Sequence, residues 1–127
     1  MSANTQNISV PRSGENTWLW LVKILTGPLL LILLGIHLTV NHFIGTAHGL
    51  LTYADVVAYY RNPIIPIMEI LFLAAVVTHS LSGLRGIILD LKPSRTILNI
   101  LDVILVVFGI SVVIYGVWLI TVIVSKG

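Results

Sequence analysis

Four histidines, His37, His42, His48 and His79, mark where chemistry could sit in this 127-residue chain, which has no cysteine. His37 and His79 fall inside long apolar stretches. An ionisable side chain in hydrocarbon is costly, and by default it marks a functional site. Gly83 and Gly86 lie four and seven residues past His79, so on a helix they share its face. Together they leave a groove without side chains beside an imidazole. A flat macrocycle would fit such a groove, and axial imidazole is an iron ligand in haem proteins. Hydrogen bonding between helices is the plainer use of a membrane histidine.

The elements that hold these residues are read from hydropathy. Of the residues, 57% are hydrophobic and 9% charged, too little charge to cover a soluble domain of this composition. A spanning helix needs about 20 apolar residues, and three segments reach that length. The first runs from Trp18 to Ile44, with Lys23 able to snorkel to the interface and Pro28 predicting a mild kink. The second runs from Pro63 to Leu89. Pro63 and Pro66 sit in its opening turn, and Pro93 follows its end. The third runs from Ser94 or Thr96 to Val124, with Ser94 as N-cap. Thr52-Tyr53-Ala54-Asp55 reads as a capping sequence for a short amphipathic helix, Thr52 to Arg61, lying in the interface. The fold class is therefore all-α integral membrane: three transmembrane helices plus a short interfacial helix between the first two. Residues 1–17 form a polar arm without signal-peptide character, and residues 18–127 one membrane domain.

Arg12, Lys23, Arg85, Lys92 and Arg95 fall on the N-terminal side, against Arg61 and Lys126 on the other. That bias predicts a cytoplasmic N-terminus in a multi-pass protein of the cell membrane. The net charge of +2 gives no footing for nucleic acid. Without cysteine the chain can hold no Cys-ligated iron–sulfur cluster. No phosphate loop, dinucleotide turn or His-Glu-x-x-His motif is present.

Depth separates the two central histidines. Counting 1.5 Å per residue from each membrane boundary sets His37 nearer the outer face and His79 nearer the inner, offset by roughly 10 Å. One haem cannot meet both, so each would ligate a different haem, with the second axial ligand on a partner membrane subunit. His42 is an alternative outer ligand or an interfacial polar residue. His48 reads as a solvated loop residue. Arg85 sits where a propionate of an inner haem would emerge, or serves as a positive-inside anchor. Asp90 ends the second span as a boundary residue. Glu69 and Asp102 read as interfacial or interhelical hydrogen-bonding groups, with Arg95 close to Asp102 in sequence.

The pattern His79-x-x-x-Gly83-x-Arg85-x-x-x-x-Asp90 near the inner end of the second of three helices resembles the small membrane-anchor subunits of succinate dehydrogenase and fumarate reductase. Thr26-Gly27 followed by His37 resembles the first helix of the two-haem versions, with two anchors. Tyr60-Arg61-Asn62-Pro63 is similar to the anchor of actinobacterial and archaeal complexes. The resemblance covers about residues 18–125. It implies a complex with a second membrane anchor, an iron–sulfur subunit and a flavoprotein, in which electrons from succinate reach a quinone. It also implies that His79 ligates the haem b nearer the iron–sulfur subunit and His37 the distal one. Two positions depart from the pattern. Leu91 stands where ubiquinone-linked members carry a quinone-contacting tyrosine after the residue matching Asp90, and Lys23 is one residue from the expected basic position of a quinone pocket.

The reading is thus a non-catalytic electron-transfer subunit that binds haem b with a partner anchor. Lys23 and Asp90 are the candidate quinone contacts. The alternatives are a haem-free structural anchor of the same complex, or a small transporter accessory subunit using Glu69 and Asp102.

Overall fold

The computed structural model describes residues 16–44 and 51–126. The first fifteen residues of the N-terminal arm, and His48, lie outside the described residues. Helix α1 spans Thr17–Thr39 and passes into a π-helical turn, Val40–Ile44. A short helix α2 spans Tyr53–Tyr59, α3 spans Ile64–Asp90, and α4 spans Arg95–Val124. No strand occurs among the described residues. Three stretches, Thr17–Phe43, Ile64–Asp90 and Arg95–Val124, are long and apolar enough to cross a membrane. With the short α2 between the first two, this is the all-α membrane architecture read from the sequence.

The boundaries follow local chemistry. Asn16 opens α1, its side chain accepting from the Trp18 N–H at 3.0 Å. A full capping box opens α2. The Thr52 hydroxyl accepts from the Asp55 N–H, and the Asp55 carboxylate accepts from the Thr52 N–H at 2.8 Å. Pro63 precedes α3, where its missing N–H costs least. Ser94 caps α4 by accepting from the Ile97 N–H at 3.3 Å. Helix α1 continues through Pro28.

The turn from α3 to α4 is short and passes through one left-handed residue, Lys92, at φ 51°. The N–H groups of Leu91 and Lys92 there donate to the carbonyls of Ile88 and Leu89, each at 3.0 Å. Four residues after Asp90 the chain is already in the N-cap of α4, so α3 and α4 are antiparallel neighbours.

Helix α3 is the centre, packing on α1 along one face and on α4 along another. Two glycines of α4 set the second contact. A Cβ on Gly109 would stand 2.7 Å from Leu81 Cδ1, and one on Gly116 would collide with Leu73 Cδ2. Leu73, Val77 and Leu81 form a stripe at i, i+4, i+8, and α4 meets it with its side-chain-free positions, as small residues do between membrane helices. Little else is enclosed. The buried apolar side chains among the described residues are Ile65, Ala75, Leu98 and Ile120, and no polar side chain is buried among them. Large apolar side chains such as Leu31, Phe43, Val103 and Ile114 face outward. That surface suits lipid or other membrane helices rather than water.

Candidate haem-ligand sites

The structure brings both central histidines into contact with a second helix, each through the same ring nitrogen. His79, on α3, reaches α1, where its Nδ1 lies 3.1 Å from Thr26 Oγ1. The Thr26 hydroxyl has one proton, and the Val22 carbonyl accepts it at 2.8 Å in the preceding turn. The bond to His79 is then donated by Nδ1–H, which leaves the lone pair on Nε2. Gly27 lies alongside, where a Cβ would stand 3.5 Å from His79 Cε1, at ordinary contact distance.

His37, on α1, reaches α3. Its Nδ1 lies 2.9 and 3.0 Å from the two carboxylate oxygens of Glu69, and the acceptor-only carboxylate takes the Nδ1 proton. The His37 ring stacks on Phe72, with centroids 4.9 Å apart and 28° between planes. Asn41, in the π-helical turn, donates from its amide to the His37 carbonyl at 2.9 Å and to Glu69 Oε1 at 3.3 Å. The Glu69 side chain is only 11% exposed.

Neither Nε2 has a hydrogen-bond partner among the described residues. The one side-chain nitrogen or oxygen there that is both buried and unpartnered is Tyr59 Oη. Both Nε2 atoms therefore reach the surface of the chain, where a further ligand can meet them.

The two sites lie at different levels. Thr26, the contact of His79, is eleven residues before His37 on α1, and Glu69, the contact of His37, is ten residues before His79 on α3. At 1.5 Å per residue both counts separate the histidines by about 15 Å along the bundle. The offset is larger than the sequence count, and its direction agrees.

Other predicted residues fall as follows. The groove beside His79 is half built: a Cβ on Gly83 would meet nothing within 4 Å, while Gly86 is buried and a Cβ there would stand 3.5 Å from Lys23 Nζ. Lys23 therefore crosses toward α3 one turn before that helix ends at exposed Asp90, so the two candidate quinone contacts share one end of the bundle. His42 is exposed in the π-helical turn. Arg85 pairs with Asp102 across α3 and α4, Nε to Oδ1 at 2.6 Å and Nη2 to Oδ2 at 3.0 Å. Its charge is thus already balanced, and Asp102 takes Arg85 rather than the neighbour in sequence, Arg95.

Sequence reasoning missed Glu69 and Thr26 as contacts of the histidines. An acid inside a span needs a partner at its own depth, and His37, near the same end of α1, was the signal available.

Two grooves flank α3 between α1 and α4. One, about 560 Å³, is lined by Val22, Val77, Leu81, Val106 and Gly109, with Arg85 and Asp102 among its walls. The other, about 370 Å³, holds His37, Tyr60, Glu69 and Phe72. Outside the spanning segments, burial and then the Glu69 charge raise the pKa of Tyr59. Burial, then Glu69 and Tyr59, push that of Tyr60 up to about 12.

Among the described residues no cluster of three or more His, Cys, Asp or Glu side chains could hold a metal ion by itself. Residues 2–123 match the model of the succinate dehydrogenase/fumarate reductase transmembrane subunit family. The chain belongs to this family. It is 39% identical over 71 residues to the succinate dehydrogenase hydrophobic membrane anchor subunit of Archaeoglobus fulgidus, a match covering 56% of this chain and 59% of that one. It is 30% identical over 79 residues to succinate dehydrogenase 2 membrane subunit SdhC of Mycobacterium tuberculosis, covering 62% and 57%. The chain thus spans a little under three-fifths of the length of these two curated relatives. No solved structure matches.

Proposed function

We propose that this family member is a membrane anchor of a succinate:quinone oxidoreductase, and that it binds haem b at His79 and at His37 together with a partner anchor subunit. The observation that carries the reading is the shared state of the two imidazoles. Each is held through Nδ1–H, by Thr26 or by Glu69, and each turns an unpartnered Nε2 to the chain surface. Metal-ligating histidines characteristically donate their other ring N–H to a carboxylate, carbonyl or similar group, which fixes tautomer and ring orientation. The open position at Gly83 leaves room on the face of His79 where a side chain would otherwise stand.

Bound haem would supply a one-electron ferric/ferrous couple at each level. The chain's own part is to hold each imidazole, keep water away with apolar helices, and fix the two levels about 15 Å apart. Electrons would enter from an iron–sulfur subunit on the side of His79, fed by a flavoprotein, and leave to a quinone. Lys23 and Asp90, at that same end, are the residues of this chain nearest to a quinone role. Arg85 is the weaker propionate contact, because a propionate would compete with Asp102 for its guanidinium. The excess of basic residues toward the N-terminal side supports a cytoplasmic N-terminus in the cell membrane.

The test is the dithionite-reduced minus air-oxidised spectrum of the purified complex carrying single substitutions. His79→Ala is expected to remove one b-type component and His37→Ala another. A spectrum unchanged by either substitution rejects that histidine as a ligand. A complex with all its subunits and no b-type absorption would favour the haem-free anchor.

A further inference from the structure

We propose that Glu69 is a positioning residue for the outer haem: its carboxylate fixes the tautomer of His37 and lowers the reduction potential of the iron that His37 ligates. This rests on His37 being a haem ligand. The geometry is that of a carboxylate–histidine–metal arrangement seen from the protein side. Glu69 lies 2.9 and 3.0 Å from His37 Nδ1, with its side chain 11% exposed. Phe72 stacks on the ring, and the Asn41 amide, whose Nδ2 lies 3.1 Å from His37 Nδ1, donates to the same Glu69 Oε1 at 3.3 Å. A carboxylate that turned away would lose both the His37 and the Asn41 hydrogen bond.

The inner site offers the contrast. There the Nδ1–H of His79 meets a neutral hydroxyl, Thr26, at 3.1 Å. A carboxylate draws the Nδ1 proton toward itself more strongly than a hydroxyl does. The imidazole becomes a stronger donor through Nε2, and a stronger donor stabilises ferric over ferrous iron. The negative charge acts in the same direction, since adding an electron near a carboxylate is opposed by Coulomb repulsion in a medium of low dielectric constant. The donor effect reaches the outer iron only, and the Coulomb effect falls with distance, so it acts less on the inner site, about 15 Å away along the bundle. The two haem sites of one small chain are thereby made unequal by a single acid.

The experiment is a redox titration of the purified complex, followed at its b-type absorption, with haem counted per complex. Glu69→Gln keeps an acceptor for Nδ1–H and removes the charge. It should retain the outer haem and raise its midpoint by about 59 mV, which is a tenfold change in the one-electron ferric/ferrous equilibrium. The inner midpoint should rise by less than the outer one. Glu69→Ala removes the acceptor as well, and should weaken outer-haem retention by roughly 10- to 100-fold. Glu69→Asp keeps the charge at a longer reach, so it should give a smaller rise with the haem retained, and it serves if the glutamine variant does not assemble. Both haems present with the outer midpoint unmoved in Glu69→Gln, or in Glu69→Asp where only that variant assembles, would overturn the role of Glu69 and leave His37 standing as a ligand. A b-type spectrum unchanged by His37→Ala would overturn the ligand assignment, and the role of Glu69 with it.

Discussion

The two histidines differ in what holds them, and that difference makes them separately testable. Thr26 is a β-branched hydroxyl on the wall facing His79. Thr26→Val keeps its shape and removes the acceptor for Nδ1–H. The expected result is a 10- to 100-fold loss in retention of the proposed inner haem during detergent washing, with Thr26→Ser close to wild type. Haem-to-protein ratios before and after washing check it. Tyr60 gives a prediction of pH dependence. Its phenol titrates near 10 when unfolded and near 12 in the fold, so the folded state holds the proton more tightly. The stabilisation is complete below pH 10 and is lost as the pH rises from 10 toward 12. Melting temperatures across that window should fall in the wild type and fall less in Tyr60→Phe.

Helix α3 carries nearly all of the contact between elements, and the positions that let α4 approach it are glycines. Gly116→Leu would drive a side chain into Leu73, and Gly109→Leu into Leu81 and Val77. Overpacking of this kind costs about 1–3 kcal/mol, and a lowered melting temperature in detergent measures it. Lys92 works in the opposite direction. At φ 51° a lysine sits where glycine is unstrained, and Lys92→Gly should stabilise the α3–α4 turn by about 1 kcal/mol. The same elements show how far the sequence could be read. Ser94, the Thr52–Asp55 box, Pro63 and Pro93 act on their own neighbours, so the helix ends they govern were legible to within one or two residues, whereas the change from α1 to a π-helical turn after Thr39 was not. The pairs Thr26–His79, Glu69–His37 and Arg85–Asp102 cross between helices. Each depends on how far one helix is rotated against another, and a shift of one residue turns a side chain by about 100°. The sequence gives composition and depth but not that rotation. It therefore named the two histidines and their different levels, and it missed the groups that hold them.

For the whole molecule, the outward apolar faces and the surface-facing Nε2 atoms have one common consequence. A three-helix chain that buries so few of its side chains must find its remaining contacts in lipid and in other membrane helices, and each proposed haem needs a second ligand from such a helix. The unevenness of the two sites, a hydroxyl behind one imidazole and a carboxylate behind the other, then becomes a property of the assembled complex. The measurement that bears on this most directly is the haem content of the purified complex, taken with its potentiometric titration. Two haems b per copy of this chain, titrating in two one-electron steps with different midpoints, are the expected result. A complex complete in its subunits that holds no haem b would contradict it.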